Sequence, residues 1–237
     1  MWEATVGGRQ LHFHLAGINN QNFIMRDEET GSWWQQVTGQ AILGPLKGER
    51  LKPVFHDELT FATWKREKPQ GRVLKPDEGI AGAGRYAPAN WEERMENVPV
   101  ATSHALDESL KPRTLVIGLT VNGAPKAYPF DAVLKQSPIM DDLGGTPIFL
   151  VVGEDKRSVR AFERTTDGRK LEFFAKPGSS QLVLVDAETG SEWDFTGKAI
   201  SGPLSGRQLK RVAVLNDYWF DWKAYNPKTI VYDLGGR

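Results

Sequence analysis

His12 and His14 stand two apart in a stretch that alternates apolar and polar side chains, so a strand there turns both imidazoles to one face, where they can bind a metal edge-on. The aligned positions later in the chain are Glu172 and Phe174, and no third ligand is evident, so a solvated strand face is the competing reading. Asp141-Asp142 sets two carboxylates side by side ahead of Gly144-Gly145. Such a pair can hold a cation or share a proton, and a turn before the glycines explains it equally well. Trp33, Trp34 and Trp193 each offer a flat apolar surface with one N–H donor, suited to stacking on sugars, rings or cations. Large aromatics recur in cores, so Trp34, Trp64, Trp193 and Trp222 are expected inside, leaving Trp33 as the surface candidate. Asp27, Glu28 and Glu29, echoed by Asp186 and Glu188, precede Thr-Gly and are expected to cap turns.

Beyond these residues the chain shows no recognised catalytic motif. Gly-Pro-Leu-x-Gly lacks the Lys-Ser/Thr ending of a phosphate loop, and neither a serine nucleophile elbow nor HExxH occurs. The absence of cysteine excludes disulfides, thiol catalysis and Cys-ligated metals within this chain. No cofactor is implied. Thirty basic residues balance thirty acidic ones, so no bulk field draws the chain to nucleic acid. No apolar run approaches the roughly 20 residues needed to cross a bilayer, which argues against membrane insertion, and Met1-Trp2-Glu3 does not open a signal peptide.

The elements that must position these residues are written twice. Glu29 to Leu51, ETGSWWQQVTGQAILGPLKGERL, is nearly repeated as ETGSEWDFTGKAISGPLSGRQL at Glu188 to Leu209. Trp34 aligns with Trp193, Gly44-Pro45-Leu46 with Gly202-Pro203-Leu204, Phe61 with Trp219, Trp64 with Trp222 and Val73 with Val231. The shared part runs from about residue 2 to 74 and from about 162 to 232, a duplicated domain rather than a solenoid module. The expected division is a first repeat at 1–74, a connector at 75–111 and a complete second repeat at 112–237. The second repeat carries a front portion, residues 112–161, that has no counterpart in the first.

Locally, Leu11, Phe13 and Leu15 are expected on the buried side of a strand, with a turn at Gly17 to Asn22 and strands at Phe23-Ile24-Met25 and Ser32 to Val37. Thr60 should cap a short helix that Pro69 stops, and Asp217 should cap its counterpart. Another short helix is expected near Trp91 to Met95. Asn122-Gly123 predicts a tight hairpin between Thr114–Val121 and Ala124–Tyr128, followed by a helix at Phe130 to Gln136 and a strand at Pro147 to Val152.

The repeated ETGSxWxxxTGxAIxGPLxGxxL pattern, the helix bearing Trp64 or Trp222, Ala127-Tyr128-Pro129 and Asp142-x-Gly144-Gly145 resemble the bacterial family of unknown function DUF3179. Many members of that family carry a Cys-x-x-Cys or Cys/selenocysteine pair just after the strand that follows the Gly-Gly. The resemblance places that pair here on Gly153-Glu154-Asp155-Lys156, where Gly153 and Lys156 replace the thiols. It also implies that a first pair would precede Trp2, from which the expectation follows that Met1 is an internal start, assigned because an upstream in-frame selenocysteine codon is read as a stop.

The expected fold is mainly β, α+β by its count of short helices: two homologous antiparallel sheets or partial barrels, each with one covering helix. The first lobe is expected to borrow strands from the second repeat's front portion, or to leave an exposed sheet edge that favours a homo-oligomer. The leading functional expectation is a non-catalytic binding or scaffold module, with a groove between lobes for an unknown ligand or protein partner. The alternatives are the body of a thiol or selenol oxidoreductase whose pair lies upstream of Met1, and a carbohydrate-binding module using Trp33.

Overall fold

Glycines at positive φ cut this chain into short strands, because only a residue without Cβ enters that region at little cost. The computed structural model describes residues 1–75, 79, 88, 90–96, 98–103, 105–179 and 181–233. Part of the expected connector, including residues 80–87, lies outside these. β1 (Thr5–Val6) and β2 (Arg9–Gln10) form a small hairpin about Gly7-Gly8. β3 (Phe13–Asn19), β4 (Asn22–Asp27), β5 (Trp33–Gln35) and β6 (Gln40–Leu43) then pair in order as an antiparallel meander. Next come α1 (Phe61–Glu67) and α2 (Trp91–Glu96).

The later part opens with β7 (Leu115–Val121), β8 (Ala124–Pro129), α3 (Phe130–Gln136), β9 (Ile139–Leu143), β10 (Thr146–Val152) and β11 (Val159–Glu163). A second small hairpin, β12 (Thr165–Thr166) and β13 (Arg169–Lys170), leads into a second meander. Its strands are β14 (Phe173–Ala175), β15 (Leu184–Asp186), β16 (Glu192–Trp193) and β17 (Ala199–Ser201). The chain ends with β18 (Arg211–Val212), β19 (Leu215–Tyr218), α4 (Trp219–Tyr225) and β20 (Ile230–Val231). Two further sheets have the orders β18-β11-β10-β9 and β19-β7-β8-β20, with β20 parallel to β8. The protein is mainly β with short helices, and among the described residues no sheet closes into a barrel.

β10 explains the layering. Ile148, Leu150 and Val152 join Ile117, Leu119 and Tyr128 in one core, while Phe149 and Val151 join Phe162, Phe173 and Trp193 in another. A strand buried on both faces reads as a continuous apolar run, which is what Pro147 to Val152 does. Phe149 stacks on Phe173 with ring centroids 4.3 Å apart.

The two meanders carry one hydrogen-bond network. Asp27 accepts bonds from the Thr30 amide at 2.6 Å, the Thr30 hydroxyl at 2.8 Å and Trp34 Nε1 at 2.8 Å; Asp186 accepts from Thr189 at 2.6 and 2.8 Å and from Trp193 Nε1 at 2.9 Å. Burial alone would raise the Asp27 carboxyl, but these bonds outweigh it and hold the group below its ordinary value. Gly44 and Gly202 let the next turn close over this network, since a Cβ would lie 2.7 Å from the Ser32 Cα and 2.6 Å from the Ser191 Cα.

Several expectations are corrected. β3 runs on to Asn19 and turns only at Asn20-Gln21, both at positive φ, rather than turning from Gly17. Leu15 is 60% exposed despite its alternation with the histidines: it lies on the edge strand β3, where the pairing shifts between Leu15 and Gly17. Asp217 does not cap α4: it lies in β19, its carboxylate accepts from the Tyr218 amide at 2.7 Å, and Tyr218 occupies the cap position. Trp64 is half-buried rather than core, while Trp222 is enclosed. The front strands β7 to β10 all belong to the later sheets, so the first meander borrows none of them and keeps its own edges at β3 and β6.

Candidate functional site

A groove of about 760 Å³ runs where residues 57–60 meet the later sheets. Leu59, Thr60, Leu115 at the start of β7, Phe130 at the start of α3 and Asn216 on β19 line it, and the Asn216 amide donates to Glu58 at 3.1 Å. Lys156 and Arg157, from the loop after β10, complete the lining. A second recess of about 680 Å³ shares Leu115, Phe130 and Asn216 and continues towards Trp91 and Arg113. Asn216 Oδ1 is buried and has no hydrogen-bond partner among the described residues. A buried acceptor without a donor costs roughly 1–3 kcal/mol.

The groove wall is held by Asp155. Its carboxylate accepts from the hydroxyls of Thr60 at 2.6 Å, Thr63 at 2.8 Å and Ser158 at 2.5 Å, and from the amides of Arg157 and Ser158 at 3.0 and 2.8 Å. Burial pushes this carboxyl up, but the five donors outweigh that and hold it well below the carboxylate range. Thr60 thereby caps α1, as its composition suggests, and fixes the helix to the loop at Gly153–Ser158. A few residues on, Arg160 is buried, donates to Glu67 at 2.7 Å and Asp57 at 2.9 Å, and lies 4.6 Å from the Phe195 ring centroid. Arg211 also pairs with Asp57.

On the other side, α4 packs against the first meander. Asn22 donates to Asp221 at 2.5 Å and Gln35 to the Tyr225 hydroxyl at 2.8 Å. Asp217 lies beside Asp221, and burial together with that neighbouring carboxylate raises it to about 8. The two therefore share a proton near neutral pH.

The sequence candidates are dispersed. Trp34 and Trp193 are fully buried with their N–H groups given to Asp27 and Asp186, which corrects their place among binding residues: neither ring faces a ligand. Trp33 is half-buried on β5 beside Gly17, away from the groove. Asp141 and Asp142 are strand neighbours on β9 rather than a turn, so they point to opposite faces and do not act as a pair. Asp141 takes Lys126 at 2.6 Å and the Tyr128 hydroxyl at 2.7 Å; Asp142 takes Lys170 at 3.0 Å. His12 bonds Glu29 at 2.6 Å, which raises the imidazole above its ordinary value, and His14 lies exposed opposite Arg26. Among the described residues no group of three or more His, Cys, Asp or Glu is placed to hold a metal, and no helix is long and apolar enough to cross a membrane.

Sequence reading missed Asp155, Arg160 and Asn216 as site residues. Asp155-x-x-Ser158 repeats the spacing of Asp27-x-x-Thr30, a signal that marks the loop turn but not the helix that docks on it.

The fold and groove define a mainly β protein of stacked antiparallel sheets with a cleft between its earlier and later parts. The chain belongs to the family described as protein of unknown function (DUF3179), whose model matches residues 1–229. No curated protein and no solved structure matches it.

Proposed function

We propose that this chain is a binding module whose ligand lies in the groove between residues 57–60 and the β7–α3–β19 wall. The observation that carries the reading is the mixed lining of the groove, in which Leu59, Leu115 and Phe130 stand beside Glu58, Thr60, Lys156 and the Asn216 side chain. Apolar walls with few placed polar groups are how proteins orient a bound ligand. Lys156 and Glu58 in the lining suit an amphipathic ligand carrying charge.

The duplication supports this reading. Two related units, joined so that α1 anchors to the later part and α4 to the earlier one, create a cleft at their junction. Lys156 also stands where the resemblance puts one of the family's thiols, so redox chemistry in relatives and ligand binding here would use the same cleft.

A thermal-shift panel of amphipathic peptides and small organic acids on the wild-type chain and the Phe130→Ala variant tests the proposal. A compound that stabilises the wild type and leaves Phe130→Ala unshifted supports it; compounds that stabilise both equally, or none at all, count against it.

A further inference from the structure

The two-residue turn between β7 and β8 is Asn122-Gly123, the sole Asn-Gly pair in the chain, with φ of 49° and 78°. Asn122 is exposed, and its side-chain amide donates to the Gly144 carbonyl at 3.0 Å and to the Thr146 hydroxyl at 3.1 Å. Those acceptors belong to the turn between β9 and β10. β7 and β8 lie in the sheet β19-β7-β8-β20 and β9 and β10 in the sheet β18-β11-β10-β9, so one side chain pins the tips of two sheets together. Val121 and Leu143, beside the two turns in sequence, belong to the core that these sheets share. The turns touch closely: a Cβ on Gly144 would lie 2.2 Å from the Val121 carbonyl oxygen.

An asparagine followed by glycine lies within reach of its own main chain. The Gly123 amide makes no hydrogen bond among the described residues, and glycine brings no Cβ to hinder its nitrogen. A nucleophile tethered this close to a carbonyl has a large advantage over one from solution.

We propose that Asn122 is a self-modification site, and that its deamidation withdraws the pin between the two sheets. The Gly123 nitrogen, its proton taken by hydroxide, attacks Asn122 Cγ; the N–Cγ bond forms, the Cγ–Nδ2 bond breaks, and ammonia leaves with a proton from water. Water then opens the cyclic imide at either carbonyl, giving aspartate or isoaspartate. One water is consumed and one ammonia released, with nothing oxidised or reduced. The site needs no ligand and does not depend on the groove.

Either product loses the donor. A carboxylate in place of the amide sets an acceptor against the Gly144 carbonyl. Isoaspartate also adds a methylene to the main chain of a two-residue loop, which the tight turn does not accommodate. The same two bonds that form the pin restrain Cγ from meeting the Gly123 nitrogen, so loosening them should speed the reaction. Asp167-Gly168, between β12 and β13, has similar backbone angles, but its side chain is already a carboxylate, so isomerisation there removes no donor.

The test incubates the full chain at 37 °C and mildly alkaline pH, maps conversion by peptide mass spectrometry, and reads hydrogen exchange on the same samples. Conversion is expected at Asn122 ahead of every other asparagine, and at least threefold faster in Thr146→Val, which lacks one acceptor. In the converted chain and in Asn122→Asp, the amides of residues 143–146 should exchange at least tenfold faster than in the unmodified chain. Asn122→Gly, which suits the turn and cannot deamidate, should show the same acceleration with no conversion, separating loss of the pin from the added charge. Asn122 that stays intact through several half-lives of the urea-unfolded chain overturns the proposal. So does conversion no faster in Thr146→Val, or a converted chain whose exchange at 143–146 is unchanged.

Discussion

The Asp155 carboxylate accepts the Thr60 hydroxyl at 2.6 Å, joining the loop after β10 to the N-terminus of α1 across 95 residues of chain. One carboxylate thus serves as loop organiser and as the socket for a helix from the earlier part, and it sets the wall of the groove.

Removing either side of that contact should cost stability unequally. Thr60→Ala loses one cap and is expected to cost about 1 kcal/mol. Asp155→Ala strands three hydroxyls and two amides and is expected to cost about 3 kcal/mol. Urea denaturation of both variants at neutral pH checks the order.

Asp155 also predicts an acid limb. Its folded carboxyl sits below its ordinary value of 3.8 because the hydrogen bonds outweigh burial, so the unfolded chain takes up the proton first as pH falls. The contribution is fully present above about pH 5 and is lost as pH drops below about 4. Melting temperatures between pH 6 and 3 should fall more steeply for the wild type than for Asp155→Asn.

Asp217 predicts the opposite slope. Burial, then Asp221, raise it from 3.8 to about 8, so the folded state holds a proton that the unfolded state releases. Stability from this group is therefore full below about pH 4, declines as pH rises, and levels off above about pH 8. Asp217→Asn keeps the neutral form and should melt higher than the wild type at pH 8.5, by an amount on the order of a few kcal/mol in stability.

The loop that the family resemblance assigns to thiols can be probed directly. Lys156 is exposed, whereas Gly153 is buried and a Cβ there would lie 3.2 Å from Phe195. Lys156→Cys should react with a thiol reagent in the folded protein, and Gly153→Cys should react at least tenfold more slowly. Equal rates would show that the loop is not held as described.

Much of this architecture was legible in residues whose conformations are decided locally. Asn122-Gly123, Gly39 and the Thr60 cap mark their turns and helix start without help from distant chain, and the continuous apolar run of β10 marks a strand buried on both faces. Trp34 and Trp193 read as core for the same reason of size. What escaped depends on partners far away in sequence. Arg160 looks like any strand arginine until Asp57 and Glu67 arrive, and Asp217 looks like a cap until β19 pairs with β7. Trp64 and Leu15 have core-like patterns, yet their exposure depends on a covering layer that the pattern cannot supply.

The central claim is that the groove at Asn216 binds a ligand, and methyl- and amide-resolved chemical-shift mapping with the compounds found to stabilise the chain tests it most directly. The account predicts shifts confined to Leu59, Leu115, Phe130, Lys156 and the Asn216 side-chain amide, abolished by Phe130→Ala. Shifts centred instead on Trp33 and the first meander, or spread evenly over the surface, would contradict it.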